Sequence, residues 1–233
     1  MKKTKILFAA AACACLLGGM SVYAGDTEDA ARQLLEDVTG TYDELFTVIC
    51  DPQYDQLWLN DCAAIVGEEM AQTYAEILKS ACTGTIYGEE AAEAYADTPD
   101  EAQFDCFFIN CVKQFMFEGN HIAGLDEDGE EVFGCDYEYT QDLSIGGMMD
   151  GYLYETDSED AGEFRYFLLF PDTPESTYHI EFRYGSDIDA LSQYNEGPYA
   201  YWLAGGIPAD CSQEMIENVI SLFVEENLAD PAA

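Results

Sequence analysis

The chain has 233 residues, 47 of them Asp or Glu and 8 Lys or Arg, for a formal charge of −39. That balance excludes a nucleic-acid binder working through phosphate contacts and excludes electrostatic docking on anionic lipid. It does not make the chain disordered, because 48% of the residues are apolar and 13% aromatic, enough to fill a core.

Lys2, Lys3 and Lys5 precede an apolar run from Ile6 to Leu17, and Val22-Tyr23-Ala24 offers a small-x-small-like cleavage site before Gly25. This pattern reads as a secretory signal peptide over residues 1–24, followed by one domain over 25–233. The run is shorter than the roughly 20 residues a membrane span needs. A competing reading makes Cys13 or Cys15 the acylated residue of a lipoprotein. Either way the protein is expected to be exported, to a periplasmic, cell-surface or extracellular location. The signal segment holds three of the eight basic residues and no acid, so the remainder carries five basic residues against all 47 acids, a net −42.

Seven cysteines follow the signal: Cys50, Cys62, Cys82, Cys106, Cys111, Cys135 and Cys211. An exported compartment permits disulfides, and an odd number leaves at least one thiol over. Cys50 and Cys62 could close a short loop. No C-x-x-C occurs, so neither a zinc ribbon nor a thioredoxin-type motif is supported.

Asp26 to Asp37 reads as a short helix. Tyr42 to Cys50 reads as a first strand, ended by Asp51-Pro52. Cys62, Ile65, Val66, Met70, Tyr74, Ile77, Leu78 and Ala81 recur at steps of three and four, predicting one helix capped at Asn60 or Asp61 and closed by Gly84. Glu89 to Asp97 is a short acidic helix ended at Thr98-Pro99. From about Phe104 to Tyr184 the period changes to two, with turns at Asp128-Gly129, in the 156–162 loop and around Pro171 and Pro174. Successive antiparallel strands joined by tight turns predict a barrel or sandwich. A final helix carries Ile216, Val219, Ile220, Phe223 and Val224 on one face, with Asp210 or Ser212 as its cap.

The acidic run from Asp126 to Glu131 superficially resembles a calcium loop. Its Gly falls fourth rather than sixth, and the twelfth position is Tyr137 rather than Glu, so it reads as a solvated hairpin tip. His121 and His179 are the two histidines. His179 and Glu181 are read as facing opposite sides of a strand, and so as unable to share a metal. There is no G-x-S-x-G and no convincing Cys/His pairing, so no catalytic residue is assigned and a non-enzyme is expected. Tyr and Phe alternating through the strands read first as core filling, and second as the lining of a ligand-holding barrel mouth.

Several short runs, in their order, resemble the ZinT/YodA family of exported, calycin-type (lipocalin-like) zinc-binding domains. Asp37-x-x-Gly40-Thr41-Tyr42 resembles the family's opening strand, with Tyr for Trp. Ile122 to Gly129 resembles its hairpin, and Cys135-Asp136-Tyr137-Glu138-Tyr139 its Cys-x-Tyr-x-Tyr run. Arg165-Tyr166-Phe167-Leu168 resembles its Arg-Tyr-Leu-Phe run. Pro174-Glu175-Ser176 and Ile180-Glu181-Phe182 continue the likeness over most of the mature chain. The resemblance implies an antiparallel calycin-like β-barrel, mainly β, with a helical insertion and a C-terminal helix.

It also implies zinc binding through a Ser-Asp-His step and a following His-x-His strand. Here Ser186-Asp187-Ile188 and Tyr199-Ala200-Tyr201 fall on those places. A rival register puts Thr177-Tyr178-His179 on the second. In either register the triple-histidine site is absent, and phenols do not replace imidazoles as zinc ligands at neutral pH. The expected function is therefore divalent-metal binding through a degenerate or rebuilt site. His179, Asp187, Asp189, Tyr199 and Tyr201 are the candidate ligands, zinc or another divalent cation the candidate cofactor, and a transporter or cell-surface protein the candidate partner. One alternative is a binder of a small organic or lipophilic ligand, with Tyr199, Tyr201 and Trp202 near the mouth. A second is an acidic surface interaction protein with no small ligand.

Overall fold

The computed structural model describes residues 24–81, 89–98, 100 and 106–229. Residues 1–23 of the expected signal segment, Cys82 and the predicted helix stop at Gly84 lie outside them.

Nine strands form one antiparallel sheet. They are β1 (Gly40–Glu44), β2 (Gln114–Glu118), β3 (His121–Leu125), β4 (Glu131–Asp136), β5 (Glu138–Ile145), β6 (Met149–Glu155), β7 (Tyr166–Leu169), β8 (Ile180–Gly185) and β9 (Ala204–Pro208). Their order is β4-β3-β2-β1-β9-β8-β7-β6-β5. The two edges, β4 and β5, are consecutive in sequence and joined by Tyr137 alone. One residue spans under 4 Å, so the sheet must curl until its edges approach each other there, giving a half-barrel.

The hairpin tip forms as the sequence suggests. Asp126 Oδ1 accepts the amides of Asp128 and Glu130, each at 2.9 Å, and Gly129 takes φ +76°. Asp126 is thus engaged by its own turn, as Asp commonly is.

Seven α-helices flank the described sheet: α1 (Ala24–Asp37), α2 (Leu45–Ile49), α3 (Asp55–Val66), α4 (Glu68–Ala81), α5 (Glu89–Ala94), α6 (Ile188–Leu191) and α7 (Gln213–Leu228). Three expectations are corrected here. The first strand ends at Glu44, and Leu45, Phe46 and Ile49 continue as a helix whose buried residues share one face. The single helix expected around Cys62 to Ala81 is two. Gly67 at φ +84° ends α3, and α3 begins at Asp55, ahead of the expected caps at Asn60 or Asp61. Tyr199-Ala200-Tyr201 is not on a strand. It forms a turn just before β9, with Tyr201 itself at φ +61°.

The fold has two cores. Inside the curl, Phe115 meets the rings of Phe108, Phe117, Phe133, Phe167, Phe182 and Tyr184, at centroid separations from 4.7 to 6.3 Å. These rings fill the interior. Each buried side chain of this size contributes about 1.5–3 kcal/mol. Outside the curl, Phe46, Trp58, Ile207, Ile220 and Phe223 belong to a second cluster built from α2, α3, α4, α7 and β9. The central strand β9 carries Gly205 and Gly206. A Cβ on Gly205 would meet Leu45 at 3.2 Å, so the small residue there lets α2 pack closely on the sheet, and a Cβ on Gly206 would meet Ile180 and Tyr42 of the neighbouring strands at 3.2 Å. Ser212 caps α7 by accepting the amide of Met215 at 3.2 Å.

Cys62, Cys111, Cys135 and Cys211 are free thiols. The Cys50–Cys62 loop closure is therefore not formed. No described helix is long and apolar enough to cross a membrane.

Candidate functional site

Along β8 all six residues are buried. Side chains alternate across a strand, so residues two apart share a face. Ile180, Phe182 and Tyr184 enter the aromatic interior. His179, Glu181 and Arg183 are also buried, at 7%, 4% and 0% exposure. By alternation they share the outer face, under cover. This corrects the sequence expectation for His179 and Glu181. They lie on the same side, with Nε2 3.4 Å from Oε1 of Glu181.

The His179 ring is fixed at both nitrogens. Thr177 O accepts from Nδ1 at 2.6 Å, which places a proton on that nitrogen and turns Nε2 toward the Glu181 carboxylate. Tyr178, at φ +67°, turns the chain into β8. Burial of the ring pulls its pKa down, but Glu181 and then Asp172 outweigh that, and the net direction is up. Glu226 of α7 belongs to the same group. Burial raises its pKa, the His179 charge opposes this, and Glu181 and Asp172 add to it. The cluster therefore joins β8, the segment after β7 and the C-terminal helix.

At the far end of β8, Arg183 is enclosed by the segment before β9. Its Nη1 donates to Leu191 O at 2.6 Å and Gln193 O at 2.8 Å, and its Nη2 donates to Tyr199 O. Nε has no hydrogen-bond partner among the described residues. Arg32, Lys79, Lys113 and Arg165 each meet a carboxylate, whereas Arg183 meets carbonyls. Burial pulls its pKa down to about 10.

The structure divides the predicted residues between these two places. Asp187 caps α6 by accepting the amides of Asp189 and Ala190, and Asp189 is exposed. Seven residues of mostly extended chain separate Asp187 from His179, on the order of 20 Å. Tyr199 packs so closely over the strand end that a Cβ at Gly185 would come within 2.5 Å of its phenol oxygen. Burial and then Glu163 push the Tyr199 hydroxyl up to about 12. Trp202 is fully buried, donates to Phe107 O at 2.9 Å and meets the ring of Tyr184 at 5.0 Å. Tyr201 is half-buried against Tyr194. These aromatic residues form packed wall rather than an open mouth. Among the described residues, no three or more His, Cys, Asp and Glu side chains are gathered closely enough to hold a metal ion.

Glu181 and Arg183 were missed as site residues. The available signal was charge at alternate positions of an otherwise aromatic strand, which calls for a polar layer behind it.

No protein-family model matches the chain, and no curated protein sequence matches it. Among solved structures, the Zn(II)-bound ZinT-like domain of Streptococcus pneumoniae AdcA is similar, at TM-score 0.50 and 16% identity, over 80% of this chain and 89% of that one. Zn(II)-bound AdcA from the same organism matches at TM-score 0.47 and 16% identity, over 84% of this chain and 35% of the longer protein. The chain has the fold of the ZinT-like domain, a mainly β, calycin-like half-barrel with helical additions.

Proposed function

We propose that this is an exported binding protein that handles divalent cations through a rebuilt site, with His179 and Glu181 as its fixed pair. The observation that carries the reading is the His179 ring. Its Nδ1 is held by Thr177 O and its Nε2 faces a carboxylate. Metal-ligating histidines are oriented in this way, with the second nitrogen held by a carbonyl or carboxylate. Imidazole nitrogen and carboxylate oxygen are zinc donors. Two donors are in contact; no third His, Cys, Asp or Glu side chain among the described residues is gathered with them, so Asp172 and Glu226 would have to move in to extend the set. The fold supports the reading, since the ZinT-like domain it resembles is Zn(II)-bound. The acidic surface would concentrate cations around the protein. A transporter or cell-surface protein would be the acceptor of the cargo. Asp187, Tyr199 and Tyr201 are assigned structural work, because capping and packing already engage them.

Calorimetric titration of the purified protein with zinc, with calcium as control, tests this. Saturable zinc heat is expected, abolished by His179→Ala, weakened by Glu181→Gln and unchanged in a Tyr199→Phe/Tyr201→Phe double variant. No saturable heat above the calcium background ends the proposal. Undiminished binding by a folded His179→Ala variant removes the site assignment.

A further inference from the structure

Strand β5 lies at one edge of the sheet. β6 pairs with it on one side, and among the described residues no strand pairs with the other. An edge strand leaves a row of N–H and C=O groups open to another chain. α1 stands across a cavity from the first two residues of β5, Glu138 and Tyr139. Thr140 is the extra residue of a bulge, since Tyr139 pairs with Tyr154 and Gln141 with Leu153. Over 141–145 the pairing is regular. Gly146 closes the far end, donating its amide to Ser192 O at 3.0 Å. The open stretch is thus five residues long, about 17 Å of strand.

The side chains beside this edge differ between its two faces. Asp142 lies directly opposite Tyr152, and Ser144 opposite Asp150. Directly paired residues share a face, so Asp142, Ser144 and Asp150 lie together. Both carboxylates are exposed, and neither β5 nor β6 carries a basic residue. Asp142 Oδ1 accepts from the Tyr139 hydroxyl at 2.8 Å, which holds the carboxylate in place without neutralising it. Gln141, Leu143 and Ile145 take the opposite face by alternation, with Leu143 half-buried. Met148, 58% exposed, follows in the turn to β6, where a Cβ on Gly146 would lie 3.5 Å from its methyl. The edge therefore has one acidic face, one apolar face and an exposed apolar side chain at its end.

We propose that the 141–145 edge docks an extended segment of a partner protein as an added strand, with basic residues at alternate positions and an aliphatic residue between them. Main-chain hydrogen bonds supply affinity in such a pairing, and alternate side chains supply specificity. A Lys opposite Asp142 meets that carboxylate. One opposite Ser144 passes the small side chain and reaches toward Asp150, two strand spacings or about 10 Å away. The residue between them lies beside Leu143. A second copy of this chain is disfavoured as the occupant, because pairing β5 with its own copy brings like charges onto the same edge.

The probe is the blocked peptide acetyl-Lys-Val-Lys-Val-Lys-amide, titrated calorimetrically into the purified protein at about 0.15 M salt, where bulk attraction is screened beyond about 8 Å. The comparisons are acetyl-Glu-Val-Glu-Val-Glu-amide and a form of the basic peptide with every backbone amide N-methylated, which keeps the charge and loses the donors. Saturable binding of the basic peptide is expected, with none of the acidic one and roughly tenfold weaker binding of the methylated one. The double variant Asp142→Lys/Asp150→Lys should weaken it roughly tenfold or more. Glu68→Lys/Glu69→Lys, an equal charge change on the exposed start of α4, should leave it unchanged. Hydrogen exchange with the peptide bound should slow within 141–145. Absence of saturable binding, equal binding of the methylated peptide, equal weakening by the α4 variant, or unchanged exchange over 141–145 would overturn the proposal. Self-association that protects 141–145 without peptide would give the edge to a second copy and overturn it as well.

Discussion

The two faces of β8 belong to one short strand and share its burial, yet they are built from opposite chemistry. On the inner face, Phe182 and Tyr184 join the aromatic interior. The one polar atom there, the Tyr184 hydroxyl, both accepts from the Ile109 amide at 2.6 Å and donates to Ile109 O at 2.9 Å. On the outer face, His179, Glu181 and Arg183 are buried beneath later segments of the chain. The inner face is held by area removed from water, which tolerates no charge. The outer face is held by directed hydrogen bonds that tie distant segments to the strand. The proposed binding chemistry draws on the second face because its groups are held in place by those bonds.

The largest expected effect removes a ring that packs against the inner face, that of Phe115 on β2, which meets Phe182 at 5.0 Å and Tyr184 at 5.1 Å. Phe115→Ala should lower unfolding free energy by about 3–5 kcal/mol, read from the denaturant midpoint. A loss under about 1 kcal/mol would mean the interior is looser than the ring packing shows.

Arg183→Met tests the outer face. The variant keeps an apolar stem but leaves Leu191 O, Gln193 O and Tyr199 O without their donor, against relief of a buried charge. Hydrogen bonds to charged groups contribute about 1.5–3 kcal/mol each, so a net loss of about 2–4 kcal/mol is expected. Faster hydrogen exchange should be confined to residues 187–203. A neutral result would show that the buried guanidinium only offsets its own desolvation, as buried charges often do.

The smallest effect is pH-dependent. Asp100, buried, accepts the Asn110 amide at 2.8 Å beside the Ile109 contact of Tyr184. Burial pushes its carboxyl up, with that amide and Lys113 opposing. A carboxyl raised in the folded state makes folding less favourable as pH rises through the window above its ordinary value. Asn keeps an acceptor and does not ionise. Asp100→Asn should therefore match the parent in acid and exceed it toward neutral pH, by less than about 1 kcal/mol. Thermal unfolding across pH 3–8 reads the gap, and a gap that widens toward acid would reverse the sign.

Much of the fold is legible in the sequence because local patterns and tertiary packing agree. The period of two through β2 to β8, the turn at Asp128-Gly129 and the Ser212 cap all say locally what the fold uses. The misreadings occur where they disagree. Leu45 to Ile49 carries β-formers, yet the outer core places it as a helix over β9. Gly67 breaks a continuous apolar stripe, because the two helices it separates pack against each other. The site was less legible than the fold. Asp187 reads as a ligand by its place in a motif, but the nearest amides to claim its carboxylate are those of α6. Tyr199 and Trp202 read as a mouth, but Gly185 and Phe107 O bring them into the wall.

Sequence alone determined the acidic surface and the aromatic supply, because charge and composition are properties of the chain before it folds. It also determined the strand periodicity and the lack of a third histidine. Only the tertiary structure decided that His179 and Arg183, four residues apart on one strand face, serve separate clusters. Glu226 of α7 lies in electrostatic range of the first and the segment before β9 encloses the second, and which distant segment lands on a strand is set by packing of the whole curl. The same holds for the negative charge the chain began with. Composition fixed its amount, and the fold buried Glu44, Asp100, Asp172 and Glu181 within it.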